Sequence, residues 1–274
     1  MEKEKAACGR VNLLYGGSDG DYEPMLFSVL SAMRRTDRAL CVTVLTAALP
    51  YAGGKPMRRC KLGYLRGLLR ARRDGSDLVP VDLSEVFART LRKWRVDYEK
   101  NDPYPLLPLF ADRCALSGKQ LCLAPKTLFS GDAGEVFDED LGDNPVGAVR
   151  DRRVSFLVLP DYADAEVLLI DMERAASCRF FDRARRVCAE GNPDLTAAVN
   201  NCGLPVSYLP GRFNERASLR RSTVIRSFRP RFRLLPYPHF SRADPRSGYG
   251  MPRREYRHFE RVYEEYLLQR EGRV

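Results

Sequence analysis

Short β-branched apolar runs alternate with amphipathic stretches of helical period along this chain, and that rhythm leaves few folds open. VNLLY (Val11–Tyr15) is apolar apart from Asn12 and runs into the turn sequence GGSDGDY. Pro24 then opens a helix whose Met25, Leu26, Val29, Leu30 and Met33 recur on one face. CVTVLT (Cys41–Thr46) has the branched side chains of a second strand. The spacing predicts a helix over Pro56–Arg73, with Met57, Cys60, Tyr64, Leu65, Leu68 and Leu69 inward and the arginines outward. LVPVDLS (Leu78–Ser84) reads as a third strand leading into a helix start. Strand, helix, strand, helix, strand is the signature of an α/β fold with a largely parallel sheet.

The pattern continues with a helix around Pro105–Arg113 and strands at Gln120–Ala124, Pro145–Asp151 and Glu166–Met172. Arg174–Glu190 reads as helical, and Pro193 precedes a short helix and a strand near Val206–Leu209. The last segment is an amphipathic helix. Its stripe of Tyr256, Phe259, Val262, Tyr263, Tyr266 and Leu267 is expected to pack on the domain rather than enter a membrane. The expected organisation is one domain over residues 1–240 and a C-terminal helical extension over 241–274.

Composition narrows the function classes. At 274 residues, 44% hydrophobic and 30% charged, the chain can bury a core, which argues against disorder. No apolar stretch approaches the roughly 20 residues of a membrane helix. The polar start MEKEKAACGR lacks an apolar signal core, so a cytoplasmic location is expected. The eight cysteines form no C-x-x-C pair, which reads as free thiols in a reducing compartment. With only His239 and His258, a His-rich metal site or a hydrolase triad is not expected.

The net charge of +10 is unevenly placed. Residues 205–274 hold 16 Arg against 7 Asp/Glu, and Lys55–Arg73 holds eight Lys/Arg and no acid. Asp132–Asp143 holds six acids and no base, and is expected to cap and solvate a loop. Basic runs suit a diphosphate, an anionic membrane surface or a nucleic acid, although a solvated Arg-rich face is the plainer reading of each. In open α/β sheets ligands bind beyond the C-terminal strand ends, which places Gly16–Tyr22 at the ligand edge. Neither a G-x-G-x-x-G fingerprint nor a P-loop is present there.

LFSGDAGEVFDEDLGDNPVGAVRD (Leu128–Asp151) closely resembles glycosyltransferase family 8, which comprises retaining enzymes of the GT-A nucleotide-diphospho-sugar fold. The resemblance extends, in order, through most of the chain. VNLLYGGSDGDYEPMLFSVLSAMRRT looks like the family's first strand, nucleotide loop and first helix. YPLLPLFAD looks like the helix before its metal motif, and DYADAEVLLIDMER like its "FNSGVLLINL" strand. NPDLTAAVNN and LPGRFNE resemble its "PDQDALN" and "LPxRFN" pieces, and SFRPRFRLLPYPH (Ser227–His239) resembles a tail segment of its bacterial branch. The resemblance implies a Rossmann-like GT-A domain that transfers a hexose from a UDP-sugar with retention. It also implies a manganese ion held by an Asp-x-Asp pair and a tail histidine.

This sequence departs from the family where that chemistry sits. The Asp-x-Asp place reads Ala124-Pro125-Lys126, and the tail histidine's place reads Ser227. "NSG" reads Asp164-Ala165-Glu166. The Gln of "PDQ" is Leu195, while Asp194 remains, and the Arg of the preceding helix is Pro108. The usual first-strand Asp falls near Ser18 or Asp19. The resemblance therefore implies a degenerate, pseudoenzyme-like transferase with no metal or other cofactor. Asp194 would be the catalytic group retained. Gly16, Gly17, Ser18, Asp19, Tyr22, Lys126, Asp164, Arg226, Ser227 and Arg229 would line the nucleotide-sugar site. Its partners would be UDP or a UDP-sugar, a glycan or a partner transferase. The alternative is an active, metal-free transferase in which Lys126, Arg226, Arg229, Arg231 and Arg233 neutralise the diphosphate. A peripheral anionic membrane contact suits the basic runs. A nucleic-acid binder stacking bases on Phe213, Phe228, Phe232 and Tyr237 ranks last.

Overall fold

In the computed structural model, residues 9–49, 53–94, 102–151, 161–191, 193–228, 255, 257–262 and 264 are described. A seven-stranded sheet organises them, with strand order β3-β2-β1-β4-β7-β6-β8. The strands are β1 (Val11–Gly16), β2 (Leu40–Thr46), β3 (Asp77–Asp82), β4 (Lys119–Leu123), β6 (Val146–Arg150), β7 (Ala163–Asp171) and β8 (Val206–Leu209). Every pairing is parallel except the two made by β7, which runs against β4 and β6. The largely parallel sheet expected from the sequence is present. β5 (Thr127–Phe129) and β9 (Ile225–Ser227) form a separate antiparallel pair.

The apolar runs form central strands because both faces of the sheet are covered. Along β1, Val11, Leu13 and Tyr15 enter one core layer, and Leu14 enters the other. In β7, Val167 and Leu169 join the first layer, and Leu168 and Ile170 the second. The first layer receives α1 (Tyr22–Arg35) and α2 (Arg59–Ala71), together with Phe259 and Val262. The second receives α3 (Ser84–Trp94), the 3-10 segment Tyr104–Arg113, α5 (Met172–Ser177), α6 (Phe180–Ala189) and α7 (Leu195–Asn201). A short α4 (Ala133–Phe137) starts at Asp132, whose carboxylate accepts from Gly134 N at 2.8 Å. The acidic stretch caps a helix there, as expected.

Three helical expectations need correction. In α2 the buried residues are Leu62, Leu65 and Leu69, whereas Cys60 and Tyr64 are exposed. The helix begins at Arg59 rather than Pro56, so Met57 packs from the preceding loop and does not set the helical phase. Tyr104–Arg113 winds as a 3-10 helix, because Pro105 and Pro108 each remove a backbone donor. The helical stretch expected over Arg174–Glu190 is interrupted at Arg179, whose φ of 57° separates two helices. The C-terminal stripe packs on the domain at Phe259 (1% exposed) and Val262 (5%). Its Tyr256, Tyr263, Tyr266 and Leu267 lie outside the described residues.

Two buried arginines fasten the layers. Arg185 of α6 reaches the Asp112 carboxylate with both terminal nitrogens, at 2.6 and 2.8 Å, and also donates to Leu109 O. This anchors the 3-10 segment. Arg226 of β9 pairs with Glu255 at 2.9 Å, with the two side chains 5% and 3% exposed, and holds the C-terminal helix against the small sheet.

Candidate functional site

Strand order reverses where β1 meets β4, since β2 and β3 lie to one side and β7, β6 and β8 to the other. At such a switch point the loops leaving adjacent strands diverge and open a crevice beyond their C-terminal ends. A cavity of about 260 Å³ lies there. Gly16 ends β1 at its wall, and Leu123, Ala124 and Pro125 leave β4 beside it. Ala165 and Glu166 come from β7, whose antiparallel course brings its first half to this edge. Asp194, Leu195 and Thr196 begin α7, and Tyr104, Pro105 and Pro108 close the side.

Local chemistry fixes each wall. A Cβ on Gly16 would stand 2.9 Å from Leu107 Cβ and 3.1 Å from Pro108 Cδ, so only glycine lets the 3-10 segment close on β1. The Ser18 amide and hydroxyl both donate to the Asp21 carboxylate at 2.8 Å, which shapes the turn. Asp194 accepts from Ala197 N at 2.9 Å and caps α7. The exit from β4 is pinned to α1 by a hydroxyl chain. Tyr15 and Ser28 share a 2.9 Å hydrogen bond, Ser28 meets Thr127 at 3.2 Å, and Thr127 donates to Ala124 O at 2.9 Å. Burial pushes the Tyr15 phenol well above its ordinary range, against a smaller opposing pull from Ser28, so it stays neutral.

The cavity is acidic. Asp21, Asp102, Glu166 and Asp194 line it, and no lysine or arginine does among the described residues. Burial pushes the Asp102 carboxyl above its ordinary range, and the neighbouring Asp21 charge adds to this against the opposing Tyr104 N–H. Behind Glu166, the side chain of Arg216 stands among three carboxylates. Its Nη1 donates to Asp151 at 2.8 Å and its Nη2 is ion-paired with Asp164. Its Nε faces Glu166 at 3.6 Å. The Asp164 and Glu166 contacts are charge contacts outside hydrogen-bond geometry.

The residues expected at the site scatter around this centre. Gly16 and Asp194 line the cavity. Gly17 and Ser18 belong to the adjoining turn, and Gly17 N donates to Leu45 O. Asp19 turns outward to Arg58 and Lys61, at 3.2 and 3.0 Å. Burial opposes ionisation of Asp19, but hydrogen bonds and charge from those cations hold its carboxyl below the ordinary range. Tyr22 is buried beneath Lys61, whose ammonium lies 5.1 Å from its ring. Asp164 is 1% exposed and held by Arg216, so its side chain is not a free group in the cavity. Arg226 is held by Glu255 and by the carbonyls of Glu215 and Ser227, which ties its guanidinium into the core. Arg229, Arg231, Arg233, Phe232, Tyr237 and His239 lie outside the described residues.

Lys126 and Ser227 are neighbours, since Phe228 N donates to Lys126 O at 3.0 Å and Thr127 pairs with Ser227. Ser227 is 1% exposed and donates its hydroxyl to Asn214 Oδ1 at 2.6 Å. The manganese ion implied by the resemblance does not fit this chemistry. Ala124 and Pro125 offer no side-chain donor, Lys126 brings a positive charge, and the Ser227 hydroxyl is already engaged. Among the described residues no three His, Cys, Asp or Glu side chains group as metal ligands. The sequence places Asp21 within the ligand-edge loop Gly16–Tyr22, but it does not mark Asp102 and Tyr104 as lining residues or Arg216 as a hub, because the walls they face come from distant segments.

Compared by sequence, the chain matches no family model and no curated relative. Solved structures do match. An active-site mutant of LgtC has a TM-score of 0.63 at 17% identity, over 79% of this chain and 86% of that one. The galactosyltransferase LgtC in complex with donor and acceptor sugar analogs has a TM-score of 0.60 at 18% identity, over 74% and 75%. The glycosyltransferase GlyE of Streptococcus pneumoniae has a TM-score of 0.61 at 16% identity, over 95% of this chain and 64% of that one. No helix among the described residues is long and apolar enough to cross a membrane. The chain has the GT-A fold of these glycosyltransferases, a mixed α/β architecture with a mostly parallel sheet between helical layers.

Proposed function

We propose that this protein is a glycosyltransferase of the family 8 kind that has kept its sugar-binding cleft and lost metal-dependent transfer. The observation that carries the reading is the wall where β4 ends. Ala124 and Pro125 line the cavity there and offer no side-chain ligand atom. A diphosphate brings negative charge that a metal or a cationic cluster must offset for transfer to proceed. The cavity instead presents Asp21, Asp102, Glu166 and Asp194. Carboxylates and backbone groups suit the hydroxyls of a hexose, so the ligand of this cleft is the sugar end of a nucleotide-sugar or a glycan. Retention by Asp194 of its place at the start of α7 supports the sugar-orienting role. The metal-free active transferase has less support, because Arg226 is already bound to Glu255.

Calorimetry with UDP-glucose, UDP-galactose and the free hexoses tests the reading. Saturable binding is expected, and Ala124→Phe, which fills the cavity, should abolish it. No binding by any of these ligands, or binding indifferent to Ala124→Phe, would refute it.

A further inference from the structure

A second concavity, which shares no lining residue with the sugar cleft, lies between α2 and the edge strand β3. It has a volume of about 710 Å³. Lys55, Arg58, Arg59 and Arg66 stand around it, over Met57, Leu62, Leu78 and Pro80. β3 is the last strand of the sheet on this side, and its Pro80 is exposed. Gly63 opens the groove from the helix side, since a Cβ there would meet nothing within 4 Å. A glycine inside a helix costs about 1 kcal/mol against alanine. Here it leaves a slot where any side chain would stand.

The cations of this face already bind carboxylates in pairs. Arg58 and Lys61 hold Asp19, and Arg66 and Arg70 hold Asp77. Lys55 and Arg59 make no ion pair among the described residues, and both are exposed. Among the described residues the one carboxylate lining the groove, Asp82, accepts from the Ser84 amide and hydroxyl at the start of α3. The groove therefore carries uncompensated positive charge beside an apolar wall. From Leu78 to Asp82 the strand runs about 13 Å, the length of some four extended residues.

We propose that this groove docks an acidic, extended peptide segment of a partner protein. Its carboxylates would meet Lys55 and Arg59, and an apolar side chain would enter beside Gly63 and Pro80. A membrane surface, being flat, would meet the arginines without filling the slot. Interaction through charge and groove together gives salt-sensitive binding that also depends on shape.

Fluorescence anisotropy with a fluorescein-labelled octapeptide of alternating Glu and Leu tests this, beside an alternating Lys and Leu octapeptide and vesicles containing phosphatidylserine. Saturable binding is expected for the acidic peptide alone, weakening at least tenfold between low and 0.5 M salt. Gly63→Leu should weaken it at least tenfold while raising thermal stability, so misfolding cannot account for the loss. Arg59→Glu should weaken it similarly. Gly67→Ala, in open space outside the groove, should leave it unchanged. Absence of acidic-peptide binding, equal binding by the Gly63→Leu variant, or vesicle binding insensitive to Gly63→Leu in place of peptide binding would each overturn the proposal.

Discussion

Ser227 donates its hydroxyl to Asn214 at 2.6 Å, and both residues are buried. The bond closes the small β5–β9 sheet against the loop that follows β8, at a position where the resemblance expects a metal-binding histidine. Ser227 is part of the packing and does not line the cleft. The same holds for Arg226 with Glu255 and for Asp164 with Arg216.

The Arg216 cluster should be the most fragile polar feature of the fold. The side chains of Asp151, Asp164 and Glu166 are 9%, 2% and 15% exposed and share one guanidinium. Removing it leaves uncompensated buried charge, which costs about 3–5 kcal/mol. Arg216→Ala should lower unfolding free energy by that amount in urea titrations, and Arg216→Lys by less. A loss below about 1 kcal/mol for Arg216→Ala would contradict the burial described.

Glu255 and Arg226 join the C-terminal helix to the sheet. Glu255→Ala is expected to cost about 3 kcal/mol, because it strands a buried guanidinium. Limited proteolysis should then cleave near residue 255 faster than in the unaltered chain, with the core persisting longer.

Hydrogen bonds from Arg66 and Arg70 hold the Asp77 carboxyl far below its ordinary range. A depressed carboxylate contributes stability that is present above the unfolded value of about 4 and is lost as pH falls. Thermal stability should therefore decline on acidification below about pH 4. Asp77→Asn should lower stability at pH 7 and flatten that acid decline. An unchanged slope would show that the pair adds nothing to folding.

Thiol reactivity should sort by burial. Cys60 is exposed, whereas burial pushes Cys122 up to about 12, and burial with the Asp194 charge pushes Cys188 up to about 12. Among the cysteines of the described residues, iodoacetamide at pH 8 should label Cys60 first, and Cys122 and Cys188 only after unfolding. Mass spectrometry of digests reads the order directly.

The sheet was legible in the sequence because each central strand is a short, mostly apolar run. VNLLY, CVTVLT and EVLLID bury nearly every side chain, and that pattern has no helical period. Helix phase was harder to read. Cys60 and Tyr64 share a helical face with Met57, and because Met57 is buried from the loop before α2 it does not mark the inward face, which Leu62, Leu65 and Leu69 form. β5 and β9 have three residues each, too few to alternate, and they pair across about a hundred positions. The cleft was half legible. Gly16 and Asp194 stand in recognisable motifs, but Asp102 and Arg216 acquire their surroundings only through the fold. No local pattern announces that an arginine after LPGRFN will meet Asp151 just past β6 and two carboxylates from β7.

The most direct test of the central claim is turnover of UDP-glucose and UDP-galactose, by hydrolysis or transfer to sugar acceptors, with manganese and with a chelator. The account predicts nucleotide release at the uncatalysed background rate in both conditions. Release of UDP that requires manganese and stops on chelation would contradict it, because this cleft would then hold the ion its residues are argued to have given up.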